Sequence, residues 1–404
     1  MTKNNNILPE GWKTKPINQV FEFIGTSSYS RNDINYEIDE ESIYYIHYGD
    51  IHATYKNAIL DFETETRIPV LKKEIKSTTN YLEEGDLIIA DASEDYEGVG
   101  EALEVFNIKD KKAIAGLHTF ALRDKNNDTA HGYRAYLFKN PEIKKRLKTI
   151  ATGSKVYGIS KGNLEKFKIT LPPLPEQQKI AKILATWDKA IKLQQQLIDN
   201  KKQYKKTVMK KLLTGEVRFK GFNDKWKEVK MSDIFSMQAG KDIDLISYEL
   251  NKSNTHIYPV YSNALQKDGL YGWYNSYQFE ENKITVTARG SLGKANPRYE
   301  KFNAIGRLLI LTPKSKMNIK FASDYINEIV NIFVESTGVP QLTAPQFSIY
   351  KIKLPDINEQ IKIANYSSII DSELKILENE LLSFQKQKQG LMQQLLTGKI
   401  RVKN

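Results

Sequence analysis

The sequence predicts a mixed α/β chain, α+β in character, with two globular domains separated by two long antiparallel coiled-coil helices in a pseudo-two-fold internal repeat. Three observations predict it. The segment Leu171-Pro172-Pro173-Leu174-Pro175-Glu176-Gln177, closing at Leu212-Leu213-Thr214-Gly215, returns 183 residues later as Leu354-Pro355-Asp356-Ile357-Asn358-Glu359-Gln360, closing at Leu395-Leu396-Thr397-Gly398. Inside both copies, apolar residues recur in alternating steps of four and three, the signature of a coiled-coil seam. The stretches ahead of the helices also match each other, but at an offset that drifts from 214 down to 185, so length changes collect in the globular parts.

Taken in order, residues 1–170 form the first domain. Short β-rich runs at 42–48, 86–90 and 119–123 are followed by a helical stretch at 142–150. Residues 171–215 are the first spacer helix. Pro175 suits a first helical turn and Glu176 suits the positive end of the helix dipole. Its seam runs through Ile180, Leu184, Trp187, Ile191, Gln194, Ile198, Lys201, Lys205, Val208 and Leu212. Gly215 stands where a left-handed cap is expected. Residues 216–353 form the second domain, with β-rich runs at 258–261, 283–288 and 307–312 and a helix at 321–334. Residues 354–404 are the second spacer helix and a basic tail. Its seam, Ile363, Ser367, Ile370, Leu374, Leu377, Leu381, Phe384, Lys388, Leu391 and Leu395, keeps the register of the first, and Gly398 repeats the cap. At ~1.5 Å per residue each helix runs ~58 Å. Because the first helix carries the chain from one domain to the other, a second helix pairing with it must run back.

Paired matches carry the repeat through the domains. Trp12 matches Trp226, Val20-Phe21 matches Ile234-Phe235, and Tyr45-Ile46-His47-Tyr48 matches 258–261 at an offset of 213. Leu87-Ile88-Ile89-Ala90 matches Thr285-Val286-Thr287-Ala288, Gly116 matches Gly306, and Thr152-Gly153 matches Thr337-Gly338.

A chain of 404 residues with 40% hydrophobic and 27% charged side chains has the balance of a water-soluble globular protein. It has no cysteine, no apolar run long enough to span a bilayer and no apolar stretch at its start, so a cytoplasmic location is expected. The net charge of +11 favours a polyanionic partner, but it is unevenly placed: residues 176–214 carry ten lysines against three acids, while residues 1–170 are slightly acidic. That pattern describes local contact points on otherwise neutral domains. A lysine run is equally a solvated helix face.

Catalytic and metal chemistry is missing. Arg289-Gly290-Ser291-Leu292-Gly293-Lys294 lacks the spacing and the hydroxyl residue of a phosphate loop, and no His-Glu-x-x-His occurs. His47 and His52 are five apart, which suits neither a helical metal pair nor alternate strand positions. Pro355-Asp356 with Glu359 and Lys362 is better explained by helix capping than by a nuclease site. The sole Pro-Pro, Pro172-Pro173, starts a helix and is not part of an adenine methyltransferase motif.

The pattern Thr152-Gly153-Ser154, Asn163-Leu164, Leu171 to Gln177, the two Leu-Leu-Thr-Gly stops and the opening Leu8-Pro9-Glu10-Gly11-Trp12 strongly resembles the specificity (S) subunit of a type I restriction–modification enzyme, over essentially the whole chain. The second half departs from the pattern at Val339-Pro340-Gln341-Leu342-Thr343 and at Asp356-Ile357-Asn358. The resemblance implies two target recognition domains, each reading half of a bipartite, asymmetric duplex target. It implies a helix pair that docks two methyltransferase subunits, with restriction subunits joining the full complex. It implies no catalysis and no cofactor in this chain, with S-adenosylmethionine, ATP and Mg on partner subunits.

On that reading, bases are met by polar loop residues and phosphates by Lys and Arg. Candidates in the first domain are Tyr29 and Arg31, His47 and Tyr48, Ser93 with Tyr96, His118, and Ser154-Lys155 with Tyr157. In the second they are Tyr261-Ser262-Asn263, Arg289 with Ser291 and Lys294, Arg298, and Gln341. The Arg289 loop is the leading candidate, because its glycines permit close approach and an Arg can take a guanine through two hydrogen bonds. Ile180, Leu184, Trp187, Ile191, Val208 and Leu212 should meet Ile370, Leu374, Leu377, Leu381, Leu391 and Leu395 in the helix pair. Ile183, Leu193, Leu197 and Tyr204 form a second strip on the first helix, open to methyltransferase helices or to the chain's own domains.

Overall fold

The computed structural model describes residues 8–39, 41–55, 57–72, 80–306, 308–333 and 341–402. The expectations at Thr337-Gly338, Val339-Pro340, Arg307, Lys403 and the first six residues lie outside them. The chain forms two compact units, residues 1–195 with 380–404, and residues 196–379.

In the first unit a five-stranded sheet has the order Phe21–Ile24, Thr119–Asp124, Leu87–Ala90, Ala102–Phe106, Ile59–Asp61, antiparallel except at its last pair. The central run Leu-Ile-Ile-Ala is buried on both faces. Leu87 and Ile89 enter one core with the helices Arg134–Lys139 and Pro141–Ile150. Ile88 and Ala90 enter the other, against a second sheet in which Ile43–Ile46 pairs in parallel with Lys112–Ala115. Two cores on one sheet follow from the period of two along a strand.

The second unit repeats this plan. Phe235–Ala239, Leu308–Pro313, Lys283–Thr287 and Ala295–Arg298 form one sheet, and Tyr258–Tyr261 pairs in parallel with Asn303–Ala304 in the other. The register corrects the sequence match. The Ile46 carbonyl takes the Gly116 N–H as the Tyr261 carbonyl takes the Ile305 N–H, so these strands correspond at 215 and 189, not 213 and 190. The first strand also stops at Ile46: His47 caps the short helix Tyr48–Ala53, its Nδ1 accepting the Gly49 N–H at 3.0 Å. The helix expected at 321–334 is Ile319–Glu328. The Ile329-Val330 pair that follows is β-branched and propagates a helix poorly.

The long helices span Leu174–Thr214 and Ile357–Leu396. Each follows one strand of a two-stranded antiparallel ribbon, Lys13–Pro16 with Lys168–Leu171 and Lys227–Lys230 with Lys351–Leu354. Gly215 and Gly398 are left-handed, at φ +75 and +71. Val217 and Ile400, equivalent by 183, donate back to the Lys211 and Gln394 carbonyls. All twenty seam positions are buried or half-buried. The helices run antiparallel within each unit: Trp187 packs edge-on to Phe384 and Asp188 pairs with Lys388 in the first, and Lys201 and Lys205 pair with Glu373 and Asp371 in the second. The seam ends are core residues. Ile180, Leu184, Leu395 and Leu396 share the first unit's core, and Met209, Leu212, Leu213, Ile363 and Ala364 share the second's.

A duplicated polar clamp locks each of these junctions. Glu176 accepts from Trp12 Nε1 at 3.2 Å and from Arg401 through two hydrogen bonds of 2.8 Å. Glu359 accepts from Trp226 Nε1 at 3.0 Å and from Arg218 at 2.9 and 2.7 Å. Beside each, a glutamine satisfies the turn before the helix: Gln177 bonds the Pro172 carbonyl and the Ala130 N–H, Gln360 the Pro355 carbonyl and the Asn318 N–H. Burial pushes the Glu176 carboxyl up, but the hydrogen bonds from Arg401 and Trp12 outweigh it and hold the acid below its ordinary 4.5.

A depressed carboxyl gives stability that is complete above its unfolded value and lost as pH falls through the folded one. Calorimetry should therefore find that Glu176→Gln lowers the unfolding midpoint by a constant margin above pH 6, and that the margin shrinks below about 4.5. A margin independent of pH would remove the charged clamp from the account. Arg218→Ala should cost more than Glu359→Gln, because removing the arginine strands a fully buried carboxylate, whereas the arginine is part-exposed and can be hydrated. The reverse order would contradict this.

Candidate nucleic-acid interface

In the first unit the candidates Tyr29, Arg31, His47, Tyr48 and Ser93 line one cleft of about 490 Å³, together with Tyr36, Asp50 and His52. The Tyr48 ring lies 4.5 Å from His47 and edge-on to His118 at 5.3 Å. Burial lowers the pKa of His47, and the positive charges of His118 and Arg31 lower it further. It is thus neutral near pH 7. With Nδ1 accepting from Gly49, its proton sits on Nε2, a hydrogen-bond donor. His118 is exposed and held at φ +56, with Nδ1 3.3 Å from Asp91. A left-handed histidine is a strained position of the kind that clusters at functional sites.

The cleft is fixed by a residue that the sequence reading passed over. The Tyr45 ring is buried, and its hydroxyl accepts from the Leu117 and Tyr29 N–H groups at 2.9 and 3.1 Å and donates to the Ser27 carbonyl. It joins the Tyr29–Arg31 loop to the loop carrying His118. A Cβ at Gly116 would stand 2.5 Å from this ring, which accounts for the glycine. A tyrosine inside a strand run reads as core, and nothing in its spacing marks the hydroxyl as a brace.

Tyr157 and Ser93 face each other in a short antiparallel ladder. Tyr96 packs edge-on to Tyr157 at 5.1 Å, with its hydroxyl on the Lys148 carbonyl. Ser154 and Lys155 are exposed on a loop closed by Thr152 and Gly158. Gly153 is required there, since its φ is +138 and a Cβ would overlap the Val156 carbonyl.

The second unit has the same construction. Arg289 and Gln341 bridge each other as Ser93 and Tyr157 do one position further on. The Ala288 carbonyl takes the Leu342 N–H, as the Asp91 carbonyl takes that of Ile159. Leu342 and Ile159 are equivalent at 183, so both candidate loops grow from one duplicated strand end. Arg289, Ser291 and Lys294 are exposed there, and Ser262 is half-buried.

Other candidates turn inward, which corrects the sequence reading. Arg298 is buried, donating to Thr285 Oγ1 at 2.9 Å and to the Asp268 carbonyl, with its guanidinium 3.4 Å from the Tyr261 ring centre. Tyr261 is buried and bonded to Glu300. Ser93 is buried, with Oγ accepting the Asp95 N–H. None of the three side chains is free to meet a base. Asn263 spends both ends of its amide within the unit.

The second strip on the first helix divides. Ile183 packs on the first unit's own core, whereas Leu193, Leu197 and Tyr204 stay about half exposed. Ile369, Ile376 and Leu382 on the second helix are similarly bare. Among the described residues, no group of three or more His, Asp or Glu side chains could hold a metal, and no helix is long and apolar enough to cross a membrane.

Comparison with known proteins agrees with this architecture. The chain is 27% identical over 421 residues to a Methanocaldococcus jannaschii protein provisionally named as the specificity subunit of the type I restriction enzyme MjaX, covering 98% of this chain and 95% of that one. It is 27% identical over 303 residues to the type I restriction enzyme MjaVIII specificity subunit of the same organism, covering 67% and 71%. The fold matches the crystal structure of a type I restriction–modification S subunit from M. genitalium, with a TM-score of 0.59, 16% identity and 98% of both chains covered. Residues 9–201 and 223–383 match the type I restriction modification DNA specificity domain, and the chain belongs to that family as a type I specificity subunit.

Proposed function

We propose that this specificity subunit binds a bipartite, asymmetric double-stranded DNA target, one half through each unit, and docks the methyltransferase and restriction subunits that carry the chemistry. Specificity subunits of type I systems are non-catalytic. S-adenosylmethionine, ATP and Mg belong on the partners in this reading. One observation carries it: two structurally equivalent strand ends, matched by the Ile159–Asp91 and Leu342–Ala288 hydrogen bonds, carry different exposed side chains, Tyr96, Ser154 and Lys155 in one unit and Arg289, Ser291 and Lys294 in the other. A scaffold duplicated so closely with tips so unlike suits two readers of two different words. The half-exposed leucines and isoleucines of the long helices supply the apolar area that docking helices need.

Sequencing the methylated bases of the host genome with and without this gene tests the proposal, which expects loss of one asymmetric, two-part motif. An unchanged methylome would sink it. In the assembled methyltransferase, affinity for the target duplex should fall roughly tenfold or more between 50 and 200 mM salt through counterion release. Arg289→Ala should cost roughly 10–100-fold in discrimination at one half-site and leave the other intact. Equal loss at both would remove Arg289 from the reading set. Leu197→Asp with Ile376→Asp should leave the unfolding midpoint within a few degrees of wild type yet abolish co-purification of the methyltransferase subunits. Intact assembly would move the docking face elsewhere.

A further inference from the structure

The turn that presents Arg289 is held from behind by two side chains. We propose that Thr287 and Asn263 are positioning residues for the second unit's half-site: they aim Arg289 without touching DNA. This rests on the DNA-reading role of the Arg289 loop and deepens it.

Thr287 is almost fully buried at the last position of its strand. Its hydroxyl donates to the Ser291 carbonyl and accepts the Lys294 N–H at 2.9 Å. Its own N–H donates to the Lys294 carbonyl at 3.0 Å, and its carbonyl accepts the Gly293 N–H at 2.8 Å. One residue thereby closes the whole turn from 287 to 294. Gly293, at φ +84, and Gly290, at φ +74 with open space where a Cβ would stand, give the turn its shape. Asn263 works from the loop that follows Tyr258–Tyr261 of the other sheet. Its Oδ1 accepts the Ala288 N–H at 3.1 Å, and its Nδ2 donates to the Gly306 carbonyl at 3.3 Å. Ala288 is therefore gripped at its N–H by Asn263 and at its carbonyl by Leu342. The residue so fixed is the one directly before Arg289.

A two-point contact between a guanidinium and a guanine edge needs its plane and direction set to within about 10–20°. A turn lacking the Thr287 hydroxyl keeps Arg289 and its charge but loses that direction. Non-specific attraction to the duplex should survive while discrimination falls. An arginine acting only on a phosphate would not need this bracing, and a merely structural threonine would not confine its effect to one half-site.

The test uses the full subunit assembled with its methyltransferase partners, on duplexes carrying the motif found in the host genome or a change in one half of it. Thr287→Val, close to threonine in shape and lacking the hydroxyl, and Asn263→Ala should each cut discrimination at the half-site sensitive to Arg289→Ala by roughly tenfold. Thr287→Ser, which keeps the hydroxyl, should restore it. The other half-site and the salt dependence should not move. If Thr287→Val discriminates like wild type while Arg289→Ala does not, the positioning role fails and the reading loop stands. If Arg289→Ala also discriminates like wild type, the reading loop fails and the positioning role with it. Loss at both half-sites with a lowered unfolding midpoint, in Thr287→Val and Thr287→Ser alike, would overturn the proposal by making Thr287 a residue of the fold alone.

Discussion

Each unit depends on a helix end that the sequence delivers from far away. The first unit's core closes only when Leu395 and Leu396 lie with Ile180 and Leu184, and its clamp only when Arg401 reaches Glu176, 225 residues earlier. The second unit depends likewise on Arg218 and Glu359. A closure spanning so much chain is entropically affordable because the cost of loop closure grows only with the logarithm of its length. It must, however, be repaid locally, and the junctions are dense in return: an apolar core, a charged clamp on a tryptophan, and a glutamine that satisfies the buried turn before the helix. Residues 1–195 and 380–404 therefore form one compact unit.

The same constraint reassigns part of the charge. The first long helix carries most of the chain's excess lysine, which suggested either a nucleic-acid face or a solvated one. Lys201, Lys202 and Lys205 instead face Glu373, Glu378 and Asp371 on the second helix, and Lys388 faces Asp188. Such pairs add little energy each where they are exposed. Their opposite signs favour one alignment of two seams that apolar residues alone would leave freer to slide. These three lysines of the first helix thus help specify the helix pair.

The helices, their seams and their glycine caps were legible in the sequence because each rests on local rules: a period near 3.5, a proline in the first turn, a left-handed stop. The central strands were legible for the same reason. What escaped was set by partners distant in sequence. Glu176 read as a favourable dipole residue, yet its weight lies in Trp12 and Arg401. Arg298 read as an exposed cation, yet Thr285 and the Tyr261 ring hold it inside. His47 read as a strand residue, yet its own ring nitrogen ends the strand by capping the next helix. Hydrogen bonds between polar groups far apart leave no periodicity, so pattern reading finds the scaffold and misses the braces.

That division bears on how such a protein can vary. The residues that hold each unit together, Trp12, Glu176 and Arg401 or Trp226, Glu359 and Arg218, gather at the first turn of the long helix that starts in that unit. The residues proposed to meet DNA stand on loops that the sheets merely end in. Arg289, Ser291 and Lys294 are exposed, so exchanging them removes little buried area and should cost little stability. Thr287, Asn263 and Tyr45 belong to neither class. Thr287 and Tyr45 are buried, Asn263 is half-buried, and all three are tied to loops, so on this proposal a change there disturbs aim before it disturbs the fold. If the proposed reading holds, a reader built in these three tiers would change the bases it recognises without renegotiating the helices on which its partners would dock.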